Sequence, residues 1–163
     1  MDRSVLIVDD HRDILRLIHS ALDTLKLKKI KIYESPSGEE ALLESTRNKI
    51  DLLITDYMLP GMSGVELMHK IRVRHPEVKI IFITGISERK VREEMLNAGA
   101  MAIFDKPIPL TDFLDVVDRG LVQARTGKLH DGSMEVSLSA TLMAIHGASL
   151  KVARLNHQEN LDS

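Results

Sequence analysis

Five short apolar runs alternate strictly with five stretches of helical spacing between residues 4 and 123, and few folds accommodate such an order. Ser4 to Val8 is a continuous apolar run that ends in Asp9-Asp10-His11. From there Ile14, Ile18, Ala21, Leu22 and Leu25 fall on one helical face. Ile30-Lys-Ile-Tyr33 alternates apolar with polar, as a half-exposed strand does. Ser37-Gly-Glu-Glu40 has the form of a capping box and opens a helix through Ala41 and Leu42 to about Asn48. Asp51 to Thr55 is a buried run, and Pro60-Gly61 breaks regular structure soon after it. Ser63-Gly-Val-Glu66 is a second capping box, starting a helix with Leu67, Met68 and Ile71 inward that stops before Pro76. Lys79 to Thr84 is the fourth run. Ser87 is then expected to cap a polar helix with Val91, Met95 and Ala98 inside, closed by Gly99. Ala102 to Phe104 is short, and a last helix from about Pro109 to Gln123 buries Phe113, Leu114, Val117 and Leu121.

Strand–helix units in alternation make a parallel sheet wrapped by helices, an α/β, doubly wound architecture. The first, third and fourth runs are apolar throughout and belong in the middle, covered on both faces. The second alternates and the fifth is short, so both belong at the edges. With right-handed crossovers the strand order is 2-1-3-4-5. This order makes the first and third strands neighbours. Their carboxyl ends then bring Asp9, Asp10 and Asp56 together, and Thr84 and Lys106 reach the same edge. Ligands of open α/β sheets lie at that edge. Taken alone, Asp56 could equally be a turn residue before Pro60-Gly61.

Composition narrows the partners. Apolar residues make up 44% of the 163, against 3% aromatic, so the core is aliphatic. A formal net charge of -2 gives no general reason to expect nucleic acid or an anionic membrane as partner. With no cysteine there is neither a disulfide nor a thiolate metal site. No apolar run approaches the roughly 20 residues of a spanning helix. Asp9-Asp10 interrupts the first run too early for a signal peptide, so a soluble cytoplasmic protein is expected.

Three carboxylates at one edge repel each other, at roughly 1 kcal/mol per pair 4 Å apart in water and several times that when partly buried. Oxygen-only ligands suit a hard divalent ion, and Mg²⁺ fits without His or Cys. Mg²⁺ held by few carboxylates completes its shell with water and phosphate oxygens. Lys106 adds a positive charge and Thr84 a hydroxyl. The set reads as a phosphoryl-binding site in which Asp56 can be the nucleophile.

These residues carry a resemblance. Val8-Asp9-Asp10, Asp56 with Pro60 four residues on, Thr84 at the end of the fourth strand, and Lys106-Pro107 resemble the receiver domain of two-component response regulators, across roughly residues 3 to 123. The resemblance implies a flavodoxin-like fold and phosphorylation of Asp56 by a histidine kinase or phosphotransfer protein. It implies Mg²⁺ held by Asp10, Asp56 and the Met58 backbone carbonyl, with Asp9 acting through metal-bound water. Thr84 would move toward the phosphoryl group and Lys106 would pair with it, after a cis Lys106–Pro107 bond. The face of the fourth helix, fifth strand and fifth helix becomes a surface for docking a downstream protein or for self-association. Phosphotransfer to itself and autodephosphorylation are not turnover, so the chain is not read as an enzyme.

Two positions depart from the family pattern. Ile103 stands where an aromatic or His usually accompanies the Thr, and Phe104 beside it should face the other side of the strand. Met58 and Ile86, two residues after Asp56 and Thr84, are apolar where the family controls hydrolytic water, so a long-lived phosphoryl group is expected. Two other readings compete. A degenerate receiver would act only as a protein-interaction module. A Mg²⁺-dependent phosphohydrolase would need a second acid where Met58 stands. Plainer readings apply elsewhere: His11 as a solvated helix-start residue, and Arg89, Lys90, Arg92, Glu93 and Glu94 as a solvated face. The receiver is expected over residues 1–125. Residues 126–163 read as a linker and a short extension, with Leu138, Leu142, Ile145 and Val152 at helical spacing interrupted near Gly147; the two readings are a helix that packs on the receiver or pairs two chains, and a disordered remnant or docking segment for an effector. It lacks the basic patch of a DNA-binding domain.

Overall fold

The computed structural model describes residues 2–25 and 29–123. The elements run β1 (Arg3–Val8), α1 (Arg12–Asp23), β2 (Ile30–Ser35), α2 (Gly38–Arg47), β3 (Leu52–Thr55), β4 (Met58–Leu59), β5 (Met62–Ser63), α3 (Gly64–Arg74), β6 (Lys79–Thr84), α4 (Arg89–Asn97), β7 (Ala102–Asp105) and α5 (Leu110–Gln123). Five of the strands form a parallel sheet in the order β2-β1-β3-β6-β7. Counting only those five, this is the expected 2-1-3-4-5. The antiparallel ribbon of β4 and β5, pairing Met58 with Ser63 and Leu59 with Met62, was not anticipated. It is too short for a hydrophobic period to announce it.

Side chains alternate across the strands, and the sheet sorts them into two clusters. Leu6, Val8, Leu53, Ile80 and Phe82 pack with Ala41 of α2, Leu67, Met68 and Ile71 of α3 and Met95 of α4. Val5, Ile7, Leu52, Ile54, Ile81 and Ile83 pack with Leu15, Ile18 and Leu22 of α1 and Phe113, Val117 and Leu121 of α5. Each fully buried aliphatic side chain stabilises the fold by about 1.5–3 kcal/mol. Leu15, overlooked in the helical face, is buried, while Ile14 is only half-buried. The edge strands behave as predicted: β2 and β7 are half-exposed where β1, β3 and β6 are closed. Ile103 faces the first cluster and Phe104 the second, where its ring meets Phe113 edge-on at 5.6 Å.

Both capping serines act as expected. Ser37 Oγ accepts from the Glu40 amide at 3.3 Å, and Ser63 Oγ from the Glu66 amide at 3.1 Å. The Ser87 cap is a correction. The fourth helix begins at Arg89, one residue later than a Ser87 cap implies, with Glu88 at its N-cap position and no side-chain bond to the first turn. No helix among the described residues is long and apolar enough to cross a membrane. The linker and extension expected beyond residue 125, with their helical spacing, lie outside the described residues, as does the boundary itself.

Candidate functional site

Each site residue sits at the carboxyl edge because the parallel ladder continues one bond past the strands. The Asp9 amide donates to the Ser35 carbonyl at 3.3 Å, the Asp56 amide to Val8 at 3.1 Å and the Lys106 amide to Thr84 at 3.0 Å. The neighbours β1 and β3, and β7 one strand further on past β6, therefore deliver their next side chains to one place. Behind Asp56 the packing leaves no room. A β-carbon on Gly64, the first residue of α3, would overlap the Asp56 carbonyl oxygen and come within 3.0 Å of the Phe82 ring. The Gly64 amide meanwhile donates to the Tyr57 carbonyl at 2.7 Å. Glycine here is a condition for the loop to lie where it does.

Lys106 Nζ donates to Asp9 Oδ2 at 2.8 Å and to Asp56 Oδ2 at 2.7 Å. Both acids are buried, at 1% and 7% exposure. Burial pulls the Lys106 pKa down most strongly, but the hydrogen bonds and charges of Asp56 and Asp9 together outweigh it and leave it raised. Asp56 Oδ1 accepts from the Met58 amide at 3.1 Å, and Asp9 Oδ1 from the His11 amide at 2.8 Å. The Lys106–Pro107 peptide is cis.

Asp9, Asp56 and Lys106 thus meet directly. Asp10 joins through His11, whose Nδ1 lies 3.0 Å from Asp9 Oδ1 and 3.1 Å from Asp10 Oδ1. Thr84 is buried at the same edge, but its hydroxyl accepts from the Ile86 amide at 3.2 Å and makes no hydrogen bond to Asp56. Met58 has its side chain in solvent, at 62% exposure.

His11 deserves a fuller reading than a solvated helix-start residue. It is exposed and stands at the N-cap position of α1, yet its ring belongs to the acid cluster. The hydrogen bond to Asp9, then the charges of Asp10 and Asp9, raise its pKa above 6.5. Its position beside two acids was the available signal. The outer face of α4 is likewise more than a solvated surface. Tyr57 Oη donates to Glu94 Oε2 at 2.8 Å, and Arg92 Nη1 to Asp105 Oδ1 at 2.6 Å. The bond to Glu94, then burial, pushes the Tyr57 phenol above 10.0. At the opposite edge of the sheet Asp51, also buried, accepts from the Ser4 amide at 3.0 Å and pairs with Lys49 at 3.3 Å. That carboxylate is satisfied and structural.

Of the sequence-derived acids, Asp9 and Asp10 have oxygens that lie with His11 Nδ1 inside 4.8 Å of one another. Three carboxylates against one ammonium leave two negative charges uncompensated while His11 is neutral. All the other donors are oxygen, so the set suits a hard divalent cation such as Mg²⁺.

Comparison with known proteins agrees with this geometry. Residues 5–118 match the response regulator receiver domain. The two-component response regulator ARR13 of Arabidopsis thaliana is 33% identical over 127 residues, 77% of this chain and 22% of that protein. Sporulation initiation phosphotransferase F of Bacillus subtilis is 27% identical over 121 residues, 74% of this chain and 95% of that protein. The crystal structure of a CheY-like receiver domain protein from Methanospirillum hungatei shares 28% identity and a TM-score of 0.69, over 78% of this chain and 100% of that one. The chain spans about a quarter of the length of the two Arabidopsis regulators it matches, 22% and 27%. With the sheet order, the acid edge and the matched segment in agreement, the chain belongs to the response regulator receiver domain family of two-component signalling.

Proposed function

We propose that the chain accepts a phosphoryl group on Asp56 from a histidine kinase or phosphotransfer protein, and that the modified receiver signals to a downstream protein. The observation that carries this reading is the buried Asp56 carboxylate, held by the Met58 amide on one oxygen and the Lys106 ammonium on the other. A carboxylate fixed at both oxygens keeps one orientation toward an incoming phosphorus, which supports its role as nucleophile. One of its oxygens forms the new O–P bond as the P–N bond of a phosphohistidine breaks, and the leaving imidazole nitrogen keeps the electron pair.

Asp10, Asp56 and the Met58 carbonyl would hold Mg²⁺, with Asp9 reaching it through water. When bound, the ion offsets charge on the phosphoryl oxygens. Lys106 is placed to pair with the same oxygens once Asp56 is esterified, and the Thr84 hydroxyl to turn from the Ile86 amide toward them. Phosphorylation replaces the single negative charge of the carboxylate with about -1.5 to -2 on the phosphoryl oxygens, and that change biases the α4 face between two positions. The face of α4, β7 and α5 is the surface offered to the partner, or to a second copy of the chain.

Intact mass after incubation with acetyl phosphate and Mg²⁺ tests the reading, beside an Asp56→Asn control. A single phosphoryl adduct that needs Mg²⁺ and disappears in the control is expected. Absence of the adduct from the wild-type protein would overturn it and leave a receiver-shaped interaction module.

A further inference from the structure

The two halves of α4 are held very differently. From Arg92 onward the helix is tied down. Arg92 reaches Asp105, Glu94 accepts from the Tyr57 hydroxyl, and Met95 is fully buried. Past its last turn, Arg72 of α3 donates to the Ala98 carbonyl at 2.5 Å and to the Gly99 carbonyl at 3.0 Å. These are carbonyls left over at a helix end, and a guanidinium is well shaped to take both. Before Arg92 the ties are few. Glu88 offers the first turn no side-chain bond, and Gly85, Ser87, Glu88, Arg89 and Lys90 are exposed. Arg89 bonds Glu93, inside its own helix, at 2.7 Å.

The tie at Glu94 leads straight back to the phosphoacceptor. Tyr57 follows Asp56 in the chain, and the turn from 56 to 58 is closed by the Met58 amide on Asp56 Oδ1. The Tyr57 carbonyl is braced by the Gly64 amide, and its ring rests against the cluster beneath α3 and α4. A change at Asp56 Oδ1 therefore acts on the turn that aims the Tyr57 ring. On the neighbouring strand Ile103 has no group to bond α4, and β7 ties the helix only through Asp105, which pairs with Arg92. That pair, like the Tyr57–Glu94 bond, lies at the exposed surface, but it has no connection to the turn at Asp56.

We propose that Tyr57 is a positioning residue that latches α4 in the unphosphorylated protein. Its hydroxyl on Glu94 is the latch, and the Arg72 clasp on Ala98 and Gly99 is the pivot about which the amino-terminal end of α4 moves on release. This inference rests on the reading of Asp56 as phosphoacceptor for its trigger, but the latch itself is a property of the unmodified chain.

Amide hydrogen exchange across residues 85–99 tests it in wild type, Tyr57→Phe, Glu94→Ala and Glu94→Gln, each with and without acetyl phosphate and Mg²⁺. In unmodified Tyr57→Phe and Glu94→Ala, exchange over residues 92–94, the first hydrogen-bonded amides of the helix, should rise by about threefold or more, the loss of one hydrogen bond. Residues 98–101 should stay near wild type. Glu94→Gln keeps an acceptor and should retain most of the protection. The double variant should add nothing to either single one. Phosphorylation should speed exchange of residues 92–94 in wild type and change it little in Tyr57→Phe, although the adduct forms in both. Wild-type exchange in unmodified Tyr57→Phe would overturn the latch, whatever happens at Asp56. Lack of an adduct on wild type would instead sink the phosphoacceptor reading, and the comparison of unmodified proteins would still decide the latch.

Discussion

The Lys106 ammonium lies 2.7 Å from Asp56 Oδ2, across 50 residues of chain, and the same nitrogen also holds Asp9. One cation thus stands between two buried carboxylates that would otherwise face each other.

Replacing that cation should be costly. Lys106→Met leaves both acids unpaired, and about 1–3 kcal/mol of stability should be lost at neutral pH. Removing one of the two facing charges relieves their repulsion and shrinks the deficit. Adding Asp56→Asn should recover at least part of it. Urea unfolding of the two variants at neutral pH checks this; a double variant no more stable than Lys106→Met would contradict it. In the wild-type protein the raised Lys106 pKa has its own signature. Its contribution is complete below 10.5 and is lost as the pH rises through the higher folded value.

Gly64→Ala should displace the loop that carries Asp56. The new carbon meets the Asp56 carbonyl and the Phe82 ring edge, neither of which is a flexible chain end. A loss of about 1–3 kcal/mol is expected, together with slower formation of the adduct. Unfolding midpoints and the rate of mass gain measure the two effects separately.

The pivot of α4 carries a coupled pair. Gly99 has φ +94°, which disfavours any other residue, and an added carbon would lie 3.0 Å from Arg72 Nη1. Gly99→Ala should cost about 1–2 kcal/mol. Arg72→Met, which loses both carbonyl bonds, should cost a similar amount, about 1–2 kcal/mol. The double variant should lose less than the sum, because the clash disappears with the guanidinium. Additive losses in urea unfolding would argue against the clasp.

His11 should titrate above 6.5 in the metal-free protein, held up first by its bond to Asp9 and then by the charge of Asp10. A raised value means that its stabilising contribution is complete below 6.5 and fades as the pH climbs through the folded value. Following the imidazole proton resonances against pH reads the midpoint directly. Asp10→Asn should bring it back toward 6.5, and a wild-type midpoint at or below 6.5 would contradict the arrangement.

The phosphoryl group should be long-lived. Met58 and Ile86 stand two residues after Asp56 and Thr84, and their apolar side chains should hinder approach of a hydrolytic water to a phosphoryl group on Asp56. Decay of the adduct after removal of acetyl phosphate, followed by mass, should take well beyond seconds at neutral pH. A half-life of seconds would refute the expectation.

The sheet order was legible because each strand announces its own burial. Leu52 to Thr55 could only be central, and Ile30 to Tyr33 only an edge. Asp9, Asp56 and Lys106 were legible because each is the residue that follows a strand, and parallel order then decides who meets whom. What the sequence hid depends on side-chain reach. Nothing in the spacing of Tyr57 and Glu94, 37 residues apart, says that a phenol will span the gap. Arg72 likewise looks like one more basic residue in a last turn, although it closes a different helix. The β4–β5 ribbon is too brief to show a period. The start of α4 was misjudged because Ser87 is a good capping residue by type, and only the path of the backbone shows the helix beginning after Glu88.

The sheet keeps its two apolar clusters apart, with Ile103 on one side and Phe104 on the other. A loosened Phe113 is felt by α1 and α5, and a loosened Met68 by α2, α3 and α4, with the strands as a shared wall. Inherited variation can therefore accumulate in one compartment without compensation in the other. Packing beneath α4 can change while the α1 and α5 side keeps its shape.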